Sequence, residues 1–527
     1  MTELLRKLRD PGWTPGRKDV GPLLVLLRDA EEDLGETIVR VLEGVAAVSA
    51  IERELGEAPK LRHRFVALLG RVAKRDPAAV ALLVTELSTD DARSRKASAR
   101  ALGKLQNATV EDALLGALEG EKRVEVRRAL VEALGRVGGT KSRAVLAESA
   151  NAAEDDDALT KTMRSRARVM LERTAVRGKD GADAIVVPER ANVIFRCREG
   201  LEDLLRLELG DRATSPAPGL VAMPLVRGAD EIAASRLWTS VSVPIWDGTY
   251  EGDVADAIAE KLAAARDVLL PWTRGMFRFR LSFRDAGHRR AVVFRVAELL
   301  QGVPGFVNDP KESPWEVEVI DAAPKLTLVA VAKKIADDRF AYRIADVPAA
   351  SHPTIAAALA LVAGAEDGDV VWDPFVGSGL ELIERARFGS YRALLGTDIE
   401  PKALAAAEKN VAEARVTKLT LRKEDARRFI PPPQLTPTLV ITNPPMGRRV
   451  QSAKTLDDLL GGFLAHAIPM IAPGGRFVWL TPKPRLTDPL IKAFRMRVVL
   501  RSLVDMGGFT AELQRWEKAR LVGARAP

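Results

Sequence analysis

The sequence predicts a multidomain chain of three textures: an α-solenoid arm, an α+β module, and an α/β domain of the doubly wound, Rossmann-like kind. Three observations predict it. The 527 residues exceed what one core can organise. The first third is helical in pattern and repeats itself. The last third alternates short apolar strands with helices, and two of its strand ends carry unusual strings. These are Asp373-Pro374-Phe375-Val376-Gly377-Ser378-Gly379 and Thr442-Asn443-Pro444-Pro445-Met446-Gly447.

The arm is rich in Ala, Leu, Val, Arg and Glu, with apolar residues at helical spacing. Arg64-Phe65-Val66-Ala67-Leu68-Leu69-Gly70-Arg71-Val72 aligns with Ser98 to Leu105 and again with Leu130 to Val137. The Leu-Gly pairs start at Leu69, Leu102 and Leu134, a period of roughly 32 to 33 residues. Each unit reads as two helices with the glycine near a helix end. The pattern resembles short HEAT-type repeats over residues 1–175. That resemblance implies a stacked solenoid with an extended binding surface and a protein partner for it.

Arg177-Gly178-Lys179-Asp180-Gly181 breaks the helical pattern, so residues 176–190 read as a linker. The texture then changes. Asn192 to Cys197 reads as a strand and Gly200 to Leu209 as a helix. A helix over Val254 to Arg266 precedes an alternating strand, Phe277 to Phe283. A helix over Arg290 to Gln301 and strands over Trp315 to Ile320 and Leu326 to Val331 complete the module. The strand followed by Gly200-Leu201-Glu202, the later strand–helix–strand order, and Tyr342-Arg343 resemble the RNA-binding region of THUMP-containing RNA methyltransferases. The resemblance assigns residues 191–340 to a THUMP-like module. Ala349 to Leu359 resembles the entry helix of their catalytic domain.

Residues 345–527 form the third unit. Strands are expected at Val370 to Trp372, Ala393 to Thr397, Leu419 to Leu421, Leu439 to Thr442 and Arg476 to Leu480, with helices between them. Gly377 and Gly379 open the helix after the first strand, where bare backbone amides and the helix N-terminus suit a nucleotide-like ligand. A glycine-rich turn alone also fits NAD or flavin. The second strand ends in Asp398-Ile399-Glu400, where a carboxylate can take both ribose hydroxyls. Glu400 is the local rival of Asp398. Asp425, after the third strand, can meet an adenine amine. Asn443-Pro444 ends the fourth.

This ordered series resembles class I S-adenosylmethionine-dependent methyltransferases that modify exocyclic amines, and within them RNA guanine-N2 methyltransferases acting on ribosomal or transfer RNA. The resemblance implies S-adenosyl-L-methionine as cofactor. It implies that Asp373, Phe375, Gly377 and Gly379 hold its methionine end, Asp398 its ribose and Asp425 its adenine. Asn443, Pro444, Pro445 and Met446 would form the catalytic clamp, with Asn443 also beside the cofactor. Such families place an aromatic residue after the two prolines; Met446 departs from that pattern and leaves target identity open. Arg448 and Arg449 are candidate phosphate contacts, and His288 reads as a structural or surface residue rather than a catalytic one. Rival readings are a DNA adenine methyltransferase, a protein glutamine methyltransferase, and a non-catalytic scaffold.

The net charge of +8 and pI near 9.5 are compatible with an RNA partner. The single cysteine, Cys197, and four scattered histidines offer no metal-ligand spacing. No apolar run nears the roughly 20 residues of a membrane helix, and the charged start Met1-Thr2-Glu3-Leu4-Leu5-Arg6 lacks a signal-peptide core. The expected location is the cytoplasm, with no membrane and no metal.

Overall fold

The computed structural model describes residues 2–10, 13–57, 61–105, 107–152, 158–176, 184–284, 289–311, 313–348, 350–447 and 453–520. His288, Arg448 and Arg449 lie outside them.

The arm is a run of helices: α1 (Thr2–Leu8), α2 (Arg17–Asp29), α3 (Glu32–Leu42), α4 (Val48–Glu57), α5 (Arg62–Val72), α6 (Ala78–Glu86), α7 (Ala92–Lys104), α8 (Glu111–Gly120), α9 (Val124–Val137), α10 (Thr140–Ala152) and α11 (Ala158–Val176). They stack in two layers, with α5, α7, α9 and α11 packed in succession. The repeat glycines explain the stack. A Cβ on Gly70 would lie 2.6 Å from the Cβ of Ala101; on Gly103, 2.8 Å from the Cα of Ala133; on Gly135, 2.6 Å from the Cα of Ala167. Each glycine sits near a helix end, as the sequence suggests, yet it stays helical and does no capping. It removes the side chain that would hold the next helix away. Three successive repeats also share an ion pair: Arg28–Glu54 at 2.7 Å, Arg62–Glu86 at 2.6 Å and Arg95–Glu121 at 2.7 Å, with each carboxylate largely buried.

The middle module is built from β1 (Ala191–Arg196), α12 (Glu202–Leu209), β2 (Thr214–Ala217), β3 (Leu220–Leu225), α13 (Ala229–Ala234), β4 (Ser240–Thr249), α14 (Val254–Ala264), α15 (Arg266–Leu269), β5 (Phe277–Phe283), α16 (Arg290–Leu299), β6 (Phe306–Asn308), β7 (Trp315–Ala322) and β8 (Lys325–Ala332). Its strands join into one sheet of order β2-β3-β1-β4-β8-β7-β5-β6. Strands β2, β3, β4 and β6 were not expected from sequence. The arm docks through α11, whose Arg173 Nε donates to the Asn308 carbonyl at 2.6 Å.

The last unit holds α17 (Pro353–Ala363), β9 (Val370–Asp373), α18 (Leu380–Arg387), β10 (Ala393–Asp398), α19 (Pro401–Glu413), β11 (Leu419–Lys423), β12 (Leu439–Thr442), α20 (Ala453–Met470), β13 (Arg476–Thr481), α21 (Thr487–Ala493), β14 (Met496–Asp505) and β15 (Thr510–Lys518). The sheet order is β11-β10-β9-β12-β13-β15-β14. The five expected strands are present and mutually parallel; β15 and β14 add an antiparallel edge. The chain winds outward from β9 through β10 to β11, then crosses to β12. The order therefore reverses between β9 and β12, where doubly wound sheets bind ligands at the carboxyl ends of their strands. Both unusual strings leave the sheet there.

Module and sheet are locked together. Arg236 makes a bidentate pair with the fully buried Glu384 on α18, at 2.6 and 2.8 Å. Beside this pair, Tyr342 donates its hydroxyl to the same Glu384 carboxylate. Gly200, at φ +93°, touches β14: a Cβ there would collide with the Leu503 carbonyl. The Gly200-Leu201-Glu202 signpost is thus an interdomain contact as well as a helix start.

Candidate active site

The loop after β9 is shaped by its own strand ends. The Thr442 hydroxyl donates to Asp373 Oδ1 at 2.7 Å, and the Phe375 amide donates to the same oxygen at 3.1 Å. Thr397 accepts from Trp372 Nε1 and donates to the Pro374 carbonyl, both at 3.1 Å. Gly377 has φ +50° and Gly379 φ +85°, the left-handed region that glycine enters without penalty. A Cβ on Gly377 would meet nothing nearer than 3.8 Å, so this glycine serves backbone shape and an open approach.

Asp398 holds this loop. Its Oδ2 accepts the Gly377 amide at 3.0 Å, and its Oδ1 accepts the Glu400 amide at 2.9 Å. A carboxylate has about four acceptor sites, so two remain for hydroxyls. Asp425 is engaged differently. Arg427 pairs with it at 2.6 Å and holds its carboxyl down at about 2. Phe375 is half-buried and packs edge-on against Phe463, centroids 5.1 Å apart. Pro444 is buried, Pro445 exposed, and Met446 half-buried against the central apolar cluster.

The buried polar atoms show what the site lacks by itself. Asp373 Oδ2, Ser378 Oγ and Asn443 Oδ1 are all buried without a hydrogen-bond partner. Buried oxygens are ordinarily paired, and leaving one unpaired costs about 1–3 kcal/mol. These three belong to the loop after β9 and the strand end of β12, which side by side form one ligand-ready site. Burial, with Glu381 nearby, raises the Asp373 carboxyl well above its ordinary range. A bound cationic amine would relieve that. Asp373 and Ser378 therefore fit the amino-acid end of S-adenosylmethionine on an observation of this chain alone, and Asn443 Oδ1 is left open beside them.

Sequence reasoning missed two residues here. Asn443 Nδ2 donates to Ser351 Oγ at 2.8 Å, and Ser351 in turn donates to Glu381 Oε1. Glu381 is buried in the first turn of α18, and burial pushes its carboxyl up to about 7. Ser351 lies 92 residues from Asn443, so no local pattern could join them. The signal that was present is an acid between Leu380, Leu382 and Ile383, all buried.

A switch-point loop shaped for an amino-acid ligand, facing an Asn-Pro-Pro strand end, defines a class I S-adenosylmethionine-dependent methyltransferase. The comparisons narrow the class. The RMKL-like methyltransferase domain matches residues 341–511, and HEAT repeats match residues 80–164. The tRNA (guanine(6)-N2)-methyltransferase of Thermus thermophilus is 30% identical over 327 residues, covering 59% of this chain and 94% of the relative. The chain belongs to that methyltransferase family. The crystal structure of TrmN from Thermus thermophilus superposes with a TM-score of 0.52 at 26% identity, over 62% of this chain and 99% of the other. A structure described as "a possible methylase from Clostridium difficile 630" shares the fold at 18% identity and TM-score 0.50, covering 64% of this chain and 100% of its own. No described helix is long and apolar enough to cross a membrane, and no described group of three His, Cys, Asp or Glu could hold a metal.

Proposed function

We propose that this protein transfers a methyl group from S-adenosylmethionine to the 2-amino group of a guanine in transfer RNA, in the cytoplasm. One observation carries the chemistry: Asn443 has its amide nitrogen committed to Ser351 while its amide oxygen stands buried and unpartnered. The substrate class is supported by the Thermus relative, whose name gives a tRNA guanine amine as its target. The domain assignment follows the sequence: 1–175 as the repeat arm, 191–340 as the RNA-binding module and 345–527 as the catalytic domain.

The relay fixes the direction of the clamp. Above about pH 7 Glu381 is ionised and can only accept, so the Ser351 hydroxyl donates to it. Ser351 Oγ is then an acceptor for Asn443, which turns Nδ2 toward Ser351 and Oδ1 toward the site. Asn443 Oδ1 and the Pro444 carbonyl are two acceptors for the two hydrogens of one amine. An aromatic amine is a poor nucleophile because its lone pair is spread into the ring. Two fixed acceptors draw its nitrogen toward tetrahedral geometry and aim the lone pair. The bound cofactor supplies an electrophilic methyl on a sulfonium. Asp373 and the unpartnered Ser378 hydroxyl would hold that end, with Asp398 toward the ribose and Asp425, sharing its charge with Arg427, toward the adenine. Rate then comes from orientation and a pre-set polar environment, without a covalent enzyme intermediate. The base must leave its stack to reach the clamp, and Met446 offers a polarizable contact there in place of an aromatic face.

The test is incubation of the purified protein and a labelled methyl donor with tRNA, ribosomal RNA, DNA and total protein. Nucleoside mass spectrometry should find N2-methylguanosine in tRNA. Label in adenine of DNA or in glutamine would replace this reading. Cofactor binding with no transfer to any substrate would support a scaffold.

A further inference from the structure

The two layers of the repeat arm differ in charge. Helices α5, α7, α9 and α11 together hold sixteen lysines and arginines against three acids; α4, α6 and α8 hold one against seven. Some of the cations are spent on the fold. Arg62 and Arg95 make the repeat ion pairs, Arg64 donates to the Leu27 carbonyl, and Arg173 docks the arm. The outer face of α7 is different. Arg93, Lys96, Arg100 and Lys104 follow helical spacing along it, and the helix contains no acid. Arg93, Arg100 and Lys104 are exposed and Lys96 is half-buried. None of the four side chains donates a hydrogen bond to, or makes an ion pair with, a described residue. The stripe runs about 16 Å along the helix, at 1.5 Å per residue.

We propose that the face formed by α5, α7, α9 and α11 is a second RNA-binding surface, which grips the phosphate backbone of the substrate RNA away from the reacting base. The proposal rests on the reading of RNA as substrate. A row of uncommitted cations matches a polyanion, and phosphate contacts need no apolar anchor. A protein partner would be expected to find buried aromatic or aliphatic anchors. Among the described residues of these four helices, only Val124 is an exposed large apolar side chain. The face also continues into the rest of the molecule, because α11 packs on α16 and β6 of the middle module.

The experiment uses the full chain with Arg93, Lys96, Arg100 and Lys104 all changed to Gln, and a control with Glu52→Gln and Glu119→Gln in the other layer. Binding of tRNA is followed across a salt series, with circular dichroism to check the fold and calorimetry to check cofactor affinity. Each lost phosphate contact should lower the slope of log K against log salt by about 0.7 to 0.9. The quadruple variant should therefore lose about 3 in slope and about tenfold or more in affinity. Its methyl transfer at saturating tRNA should stay near the parent rate, and the control should match the parent throughout. Parent-like affinity and slope in the quadruple variant would overturn the proposal and hand the face to an acidic protein partner. Should the quadruple variant misfold, Arg100→Gln and Lys104→Gln singly should each lower the slope by about 0.7 to 0.9, and unchanged slopes would overturn it equally. A parent that binds tRNA with the expected slope, loses it in the variant, yet transfers no methyl to tRNA would leave this surface standing and remove the guanine reading.

Discussion

Glycine does opposite work in the two ends of this molecule. In the arm, Gly70, Gly103 and Gly135 keep ordinary helical backbone and matter for the space they leave, since the next helix fills it. In the catalytic domain, Gly377 and Gly379 matter for backbone that other residues rarely adopt, and the space at Gly377 is open. A Leu-Gly pair and a Gly-Ser-Gly turn are each recognisable in sequence. What differs is the physical reason, and with it the kind of damage a substitution does: a collision between helices in one, a misdirected loop in the other.

The comparison can be broken at Gly135. A valine there would drive its Cβ into the backbone of Ala167 and should destabilise the arm by about 1–3 kcal/mol or more. Hydrogen exchange should show α9 and α11 opening while the α/β sheet keeps its protection; equal loss in both would mean the arm is no separate stack. At Gly377 the expected injury is smaller. Alanine fits the space but not the φ of +50°, at a cost of about 1–2 kcal/mol. Calorimetry should show cofactor affinity down about tenfold and a melting temperature lowered by only about 2–8 °C. Gly116 sharpens the contrast from the other side. It lies within α8 with nothing near its Cβ position, so Gly116→Ala should stabilise the arm by about 0.5–1 kcal/mol in a denaturant titration.

The relay residue Glu381 adds a pH dependence confined to the catalytic end. Its folded carboxyl is raised to about 7, above the ordinary value near 4.3. The folded state thus holds a proton that the unfolded state has lost between those two values. Stability from this group is full below about pH 4 and is lost as pH rises through about 7. Glu381→Gln should remove that decline, so the variant without cofactor should gain on the parent between pH 5 and 8. A parallel pair of stability curves would show that Glu381 is ordinarily ionised.

Four of the five parallel strands were legible because each is a short apolar run closed by a turn or a polar motif, as a sheet buried on both faces requires, whereas the edge strand β11 is largely exposed and showed only as the alternation Leu419-Thr420-Leu421. Strand β14, Met496–Asp505, and strand β15, Thr510–Lys518, are laced with charge because they form an antiparallel edge, and they hide among polar residues. Strand β4 hides for another reason: its ladder is interrupted at Pro244–Trp246, which breaks the alternation. At the site, the loop after β9 and Asn443 announce themselves as strings. Ser351 and Glu381 do not, because their roles come from a hydrogen-bond chain that only the fold assembles. Asp425 was legible as an acid after a strand, but its pairing with Arg427 two residues on was not.

The account turns on Asn443 presenting its amide oxygen to the reacting amine. Single-turnover transfer to tRNA lacking the modification, measured beside cofactor binding for the parent and Asn443→Ala, tests this most directly. The account predicts cofactor affinity near that of the parent and transfer slower by about a hundredfold or more, because the lost bond is made to the reacting group and strengthens in the transition state. Transfer at the parent rate in Asn443→Ala would contradict it.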